Sequence, residues 1–336
     1  MATMKDVAGA AGVSIATVSA TLSGAAYVSP ELKARVNAAI DRLGYQPNRM
    51  ASSLKRGRTS LIGLVVSDIT NPFFTELVHC IQSGAQEAGY SVLLGVSGHD
   101  AERERELLRL MRAQQAAATI FCPAGSADDY GPERLQAGPM KLVAADNISP
   151  DMGCDAVGLD NRKAARLAAE HILSFGHTRI GMVAGSAHQH VGQERLAGFR
   201  SALQAAGVGF EPERVEAGSF RIEEAQRACK VLLARPSPPT ALFVANNLML
   251  IGVMQALAEA GLRVPEDISV ASIDDFPWAA AFQPALTVVR QPIEAMAAAA
   301  LGLLLKRLEE PDAPPAERTF EPELVVRRSC APPHAN

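Results

Sequence analysis

The chain has 336 residues, 48% of them hydrophobic and 20% charged, with a net charge of −4. That length supports more than one core and argues against disorder, and no apolar run reaches the roughly 18 residues that a membrane-spanning helix needs. Its longest weakly polar stretch, Ala295 to Leu305, has the length of an ordinary buried helix. Charge is uneven: residues 1–60 carry 8 Lys/Arg against 3 Asp/Glu, whereas the rest carries 24 against 33, a basic head on an acidic body. Such asymmetry suits a head that meets phosphates. The five cysteines (Cys80, Cys122, Cys154, Cys229 and Cys330) are scattered and form no C-x-x-C pair. They are expected as small apolar packers in a reducing compartment, not as a disulfide framework or zinc site. Lys5 and Asp6 run straight into a capped helix with no secretory-signal pattern, so a cytoplasmic location is expected.

In chain order, Thr3 and Asp6 form a capping-box pattern that opens a helix over about Met4 to Ala11. Gly12 breaks it, Val13 points inward, and Ser14 caps a second helix through Leu22, with Val18 and Leu22 marking its buried side. Ser29-Pro30-Glu31 announces a third helix, closed by Gly44, with Val36, Ile40 and Leu43 as its core stripe. By residue type alone, these three helices also fit a small bundle.

The stretches Lys5-Asp6-Val7-Ala8, Ala11-Gly12-Val13-Ser14, Ala16-Thr17-Val18-Ser19 and Gly44-Tyr45-Gln46-Pro47-Asn48 resemble the head of the lactose repressor (LacI/GalR) family, and the resemblance continues through the whole chain. It implies a helix-turn-helix head over residues 1–46 whose second helix enters the major groove. Ile15, Ala16, Thr17 and Ala20 would then meet the base edges, with Ser14 and Tyr45 near phosphates and Thr3 and Ser19 as further DNA contacts. Ala20 departs from the long polar residue of many relatives. With Ile15 and Ala16 it offers methyl groups and no bidentate donor, which favours thymine methyls and hence an A·T-rich half-site.

A hinge helix and linker is expected over 47–59. The resemblance implies that Asn48, Ala51, Leu54 and Lys55 contact DNA there, Leu54 as a wedge in the minor groove, with Arg56 and Arg58 beside phosphates. So short a helix is unstable alone and would form when two copies meet on DNA. The residue types by themselves also fit a plain basic linker, and Ser52 stands where many relatives have arginine.

From Ser60 onward, strand-like runs at Leu61–Val66, Val92–Val96, Thr119–Cys122 and Leu142–Ala145 alternate with helical segments. The pattern repeats after Asp160, with strands at Ile180–Val183, Val215–Ala217, Leu242–Ala245 and Ile268–Ile273. Two such halves predict a doubly wound α/β domain of two lobes. The resemblance makes this a periplasmic-binding-protein-like effector and dimerisation domain over 60–336, crossed three times by the chain. Lobe 1 is expected at about 60–160 and 291–320, and lobe 2 at about 161–290 and 321–330.

Acids, amides, an arginine and aromatics fall at the predicted strand ends, the set that a polar ring-shaped ligand needs: flat faces for its C–H surface and paired donors and acceptors for its hydroxyls. By resemblance, Phe73, Asp146, Arg195, Phe220, Asn246 and Asp274 are expected effector contacts, with Asn71, Phe74, His190 and Trp278 as further candidates. Taken singly, the aromatics also fit core positions and the aspartates fit helix caps. The absence of an Arg/Lys cluster favours a neutral sugar or sugar acid over a phosphorylated sugar or a purine. The sequence has no G-x-G-x-x-G after a strand, no Walker loop and no G-x-S-x-G elbow, and His188-Gln189-His190 reads as a polar loop. No catalytic residue, cofactor or metal is therefore expected. The expected partners are double-stranded operator DNA, a small effector and a second copy of the chain, with no membrane. Dimers are favoured over tetramers because the short tail carries no heptad repeat.

Overall fold

The computed structural model describes residues 2–23, 27–45, 59–125, 129, 140–150 and 152–334. It divides into two compact units, Met1–Thr59 and Ser60–Asn336. The expected hinge positions Asn48, Ala51, Leu54 and Lys55 lie outside the described residues.

The first unit contains α1 (Met4–Ala11), α2 (Ile15–Ser23) and α3 (Pro30–Leu43). Thr3 and Asp6 form a reciprocal capping box, the Asp6 carboxylate accepting from the Thr3 N–H at 2.8 Å. These Thr3 hydrogen bonds hold the Asp6 carboxyl below its ordinary pKa. Gly12 (φ 61°) ends α1 in the left-handed conformation, and Ser14 Oγ accepts from Thr17 N–H at 3.1 Å to cap α2. Arg35 of α3 donates to the carbonyls of Ala11 (2.7 Å) and Gly12 (3.2 Å), placing a cation where α1 ends in unpaired carbonyls. The core is Val7, Ala8, Ala11, Val18, Val36, Ala39 and Tyr45, with Ile40 partly buried against it. Leu22 and Leu43 were expected in that core but are each 37% exposed. Both sit in the last turn of their helices, and Ala39 fills the α3 stripe between Val36 and Ile40 instead.

The second unit holds two six-stranded sheets. The lobe 1 sheet comprises β1 (Leu61–Val66), β2 (Ser91–Val96), β3 (Ala118–Phe121), β4 (Lys141–Ala145), β5 (Asp155–Leu159) and β11 (Glu317–Phe320), in the order β11-β5-β4-β3-β1-β2. The lobe 2 sheet comprises β6 (Ile180–Ala184), β7 (Val215–Ala217), β8 (Ala241–Val244), β9 (Ser269–Ile273), β10 (Thr287–Arg290) and β12 (Glu323–Val325), in the order β12-β10-β9-β8-β6-β7. All pairings are parallel except the antiparallel β10–β12. The helices are α4 (Pro72–Glu87), α5 (Ala101–Ala113), α6 (Asn161–Ser174), α7 (His190–Ala205), α8 (Ile222–Leu233), α9 (Asn247–Glu259) and α10 (Ile293–Glu309).

The chain passes between the sheets three times: after β5, after β10, and between β11 and β12. Helix α10 follows a lobe 2 strand yet packs its Met296, Ala300 and Leu304 face into the lobe 1 core against α4. At the far end of the lobe 1 sheet, Arg307 donates two bonds of 2.8 Å to the buried Asp155 carboxylate, which also accepts from Ala316 N–H at 2.9 Å. This fork ties α10 and the returning chain to β5. In lobe 2, His177 bonds Thr240, Ser269 and the carbonyl of Ala331, fixing the C-terminal segment to the sheet. All five cysteines are free. Among the described residues, no helix is long and apolar enough to cross a membrane and no acidic, His or Cys cluster could hold a metal ion.

Gly12→Ala should destabilise the head by about 1–2 kcal/mol, because an L side chain in left-handed backbone costs that much and its Cβ would lie 2.7 Å from the Arg35 guanidinium. Amide hydrogen exchange of the full chain should then show faster exchange in α1 and α2 and unchanged exchange in β1 to β12.

Candidate functional site

In both lobes the strands run parallel, so their C-terminal ends face one cleft between the sheets, where an open α/β architecture places its ligands. The cleft holds about 30 Å³ of free space, room for a water or two. Of the expected effector contacts, Asn71, Phe73, Phe74, Asp146, Arg195, Phe220, Asn246 and Asp274 line it. His190 does not: it is the half-buried first residue of α7. Trp278 does not either, being 46% exposed and stacked edge-to-face on Phe276 at 5.3 Å, outside the cleft lining.

Among the described residues, Arg195 is the only Lys or Arg in the lining, and it is 2% exposed. Its Nε donates to Asn161 Oδ1 at 2.8 Å and one Nη to the Ala245 carbonyl at 2.5 Å, so both partners are neutral oxygens. Asp146 and Asp274 follow β4 and β9, corresponding strands of the two sheets, and each adopts positive φ (69° and 74°). Burial pushes the Asp146 carboxyl up to about 7; Arg195 pulls it down and Asp274 pushes it further up. Burial likewise raises Asp274, against Arg195 and the Gln291 amide, which donates to Asp274 Oδ1 at 2.5 Å. Neither acid caps the helix that follows its own strand; Asp274 instead accepts from the Asn247 N–H at the start of α9. The residues spent on caps and turns are Asn246, whose Oδ1 accepts from Met249 N–H at 2.9 Å, and Asp68, which holds Thr70.

The aromatic walls are positioned by backbone. Pro72 starts α4 and Asn71 Oδ1 caps it at Phe73 N–H (2.9 Å), setting Phe73 and Phe74 edge-to-face with centroids 5.0 Å apart. Phe220 (φ 60°) lies over Gly185; a Cβ there would come within 2.1 Å of its ring, so only glycine admits it. Of six described non-glycine residues with positive φ, four line the cleft: His99, Asp146, Phe220 and Asp274. Backbone strain of about 1–3 kcal/mol per residue is thus concentrated around the cleft.

Several lining residues escaped the sequence reading: Ser67, His99, Asn147, Gln189 and Gln291. Asn147 and Gln189 bridge the lobes, Asn147 Oδ1 accepting from Val191 N–H at 3.1 Å and Gln189 Nε2 donating to the Ala124 carbonyl at 3.0 Å. Asn247 Nδ2 donates across the cleft to the Asn71 cap at 3.0 Å. Gln291 sits at the second crossing, and its Oε1 is buried with no hydrogen-bond partner among the described residues. Only position in the fold, not residue type, marks these amides as functional.

In the head, Ile15 is 49% exposed, with exposed Ala16 beside it at the start of α2. Thr17, Ser19 and Ala20 are half-buried and Ser14 is exposed. Thr3 is spent on the α1 cap, and Tyr45 is 9% exposed in the head's core.

Residues 3–48 match the family described as bacterial regulatory proteins, lacI family, and residues 169–330 match the periplasmic binding protein-like domain. The chain is 34% identical to the ribose operon repressor of Escherichia coli, over 98% of this chain and 100% of that one. It is 32% identical to the HTH-type transcriptional repressor PurR of Photobacterium profundum, over 98% of each. Among solved structures, the lac repressor dimer bound to operator and the anti-inducer ONPF matches with a TM-score of 0.88 at 27% identity, over 98% of this chain and 99% of that one. With its helix-turn-helix head, its two parallel-rich lobes and relatives aligned over nearly their whole length, the chain belongs to the LacI family of transcriptional repressors.

Proposed function

We propose that the chain is a sequence-specific cytoplasmic repressor that binds a palindromic operator as a homodimer, with an affinity set by a neutral sugar or sugar acid held in the cleft. The observation that carries this reading is the cleft's charge pattern: one buried guanidinium, two buried carboxylates and three phenyl rings. Carboxylates accept from hydroxyls, the free edge of a guanidinium donates to ring or carboxylate oxygens, and phenyl faces cover C–H surface. A phosphorylated ligand would meet two acids and a single arginine, a poor match. The name of the ribose operon repressor and the operator-bound lac repressor dimer support the same assignment by likeness.

Coupling follows from where Arg195 is held. Its partner Asn161 opens α6 at the first crossing, and Gln291 beside Asp274 stands at the second. A ligand gripped by these residues changes the angle between lobes, and in a dimer that moves the two 47–59 segments relative to one another. A coupling of about 1–3 kcal/mol, or 5- to 150-fold in DNA affinity, is enough to switch a promoter.

Selection of genomic fragments by the purified chain at physiological salt should enrich palindromes of fixed half-site spacing, A·T-rich opposite Ile15, Ala16 and Ala20. Unselective recovery would overturn the operator reading, and guanines at those positions would overturn the apolar readout. Arg195→Ala should abolish the response of operator binding to sugar in a gel-shift titration; an undiminished response removes Arg195 from the site. Asp146 is raised from 3.8 to about 7, so the folded chain holds a proton that the unfolded chain has released between those values. This group's contribution to stability must therefore fall as pH rises through that window, by at most about 1.4 kcal/mol per pH unit. Asp146→Asn should flatten the dependence in urea titrations and stabilise the body more at pH 8 than at pH 5.

A further inference from the structure

The two lobes follow one plan, and that plan singles out a side chain with no role so far. β2 and β7 are corresponding edge strands, each paired in parallel with the first strand of its sheet, β1 or β6. The turns that leave them share two backbone hydrogen bonds. In lobe 1, Ser97 N–H donates to the Val66 carbonyl (2.9 Å) and Asp100 N–H to the Ser97 carbonyl (3.3 Å). In lobe 2, Gly218 N–H donates to the Ala184 carbonyl (2.8 Å) and Arg221 N–H to the Gly218 carbonyl (2.9 Å). Between these anchors each turn holds two residues of positive φ: Gly98 and His99 (67° and 63°) in one, Ser219 and Phe220 (50° and 60°) in the other. Asp100 and Arg221 then occupy the N-cap positions of α5 and α8.

His99 therefore stands in lobe 1 where Phe220 stands in lobe 2, and both line the cleft. The two side chains differ in one respect that matters chemically. Phe220 offers only an apolar face, whereas His99 carries an Nδ1 that is buried with no hydrogen-bond partner among the described residues. A buried polar atom left unpaired in a native fold calls for a partner, and the side facing the cleft is where a ligand supplies one. The charged groups facing the ring are Asp68, from the turn after β1, and Arg221, from the turn before α8. Burial, with Arg221, lowers the ring's pKa against the opposing pull of Asp68. A neutral imidazole keeps one donor and one acceptor nitrogen, which suits a hydroxyl and not an anion.

We propose that His99 is an effector-reading residue whose Nδ1 hydrogen-bonds a hydroxyl of the molecule in the cleft, making it the polar lobe 1 counterpart of Phe220 and a determinant of which effector the protein accepts. This rests on the reading of the cleft as a sugar site. The experiment is calorimetric titration of the full-length protein with D-ribose, D-glucose, D-galactose, cellobiose and D-gluconate, followed by the tightest of these against two variants. His99→Phe keeps an aromatic ring and removes the polar atom. His99→Asn restores a polar atom near the Nδ1 position and tolerates positive φ.

His99→Phe should weaken the sugar at least tenfold and His99→Asn should recover most of the loss, with sugar-free operator binding within twofold of the parent for both. Parental sugar affinity in His99→Phe overturns the proposal and leaves the sugar site standing. So does an equal loss in both variants accompanied by a lower melting temperature of the sugar-free protein, which would mark His99 as a packing residue. A parent protein that binds none of the five overturns the sugar-site reading, and this proposal with it.

Discussion

A guanidinium sealed from water is the constraint around which the body is arranged. Arg195 is 2% exposed and bonded to two neutral oxygens, and the acids that answer it are Asp146, across the cleft in lobe 1, and Asp274, in its own lobe. A buried cation without close ion pairing is costly, and these acids offset that cost to the extent that they ionise. The same residue touches Asn161 at a chain crossing and the carbonyl that ends β8. Any molecule that changes the hydrogen bonding of this one side chain therefore acts at once on a lobe core and on a hinge.

The strand ends show how such a site is built from ordinary sheets. Parallel order brings every C-terminal turn to one edge, and left-handed backbone at four of those turns lifts His99, Asp146, Phe220 and Asp274 into the cleft. Glycine is used where rings need room, as at Gly185, and not where side chains do the binding. The three amide bridges between lobes, at Asn71, Asn147 and Gln189, are neutral and individually weak. A seam made of such bonds holds an angle without locking it.

The sequence was informative where apolar runs were continuous. β1, β3, β4, β6, β8 and β9 stand out as buried apolar stretches, which is why the two-lobed α/β class could be read directly. β11 (Glu-Arg-Thr-Phe) is a polar edge strand and β12 has three residues, so neither carries such a run. β5 begins with an aspartate that is tolerable there only because Arg307 meets it from 152 positions away. In the head, caps and turn glycines were legible because their chemistry is local. The core stripe was not, since whether Leu22 and Leu43 find partners depends on where neighbouring helices stop. In the cleft, acids, arginine and phenylalanines at strand ends were recognisable by likeness. His99, Asn147, Gln189 and Gln291 were not, because a loop histidine or amide acquires meaning only from a left-handed turn or a crossing that brings it to the cleft.

The three crossings also bear on how the chain acquires its shape during synthesis. The head's helices are contiguous and their caps local, so the head can form as soon as it leaves the ribosome. Neither lobe has that freedom. Lobe 1 lacks its α10 face and edge strand until residue 320 has emerged, and lobe 2 lacks β12 and the His177-bound strap until Ala331 has followed. The two lobes are therefore completed nearly together, and a nascent chain that stops short of these residues is a finished head trailing two open sheets.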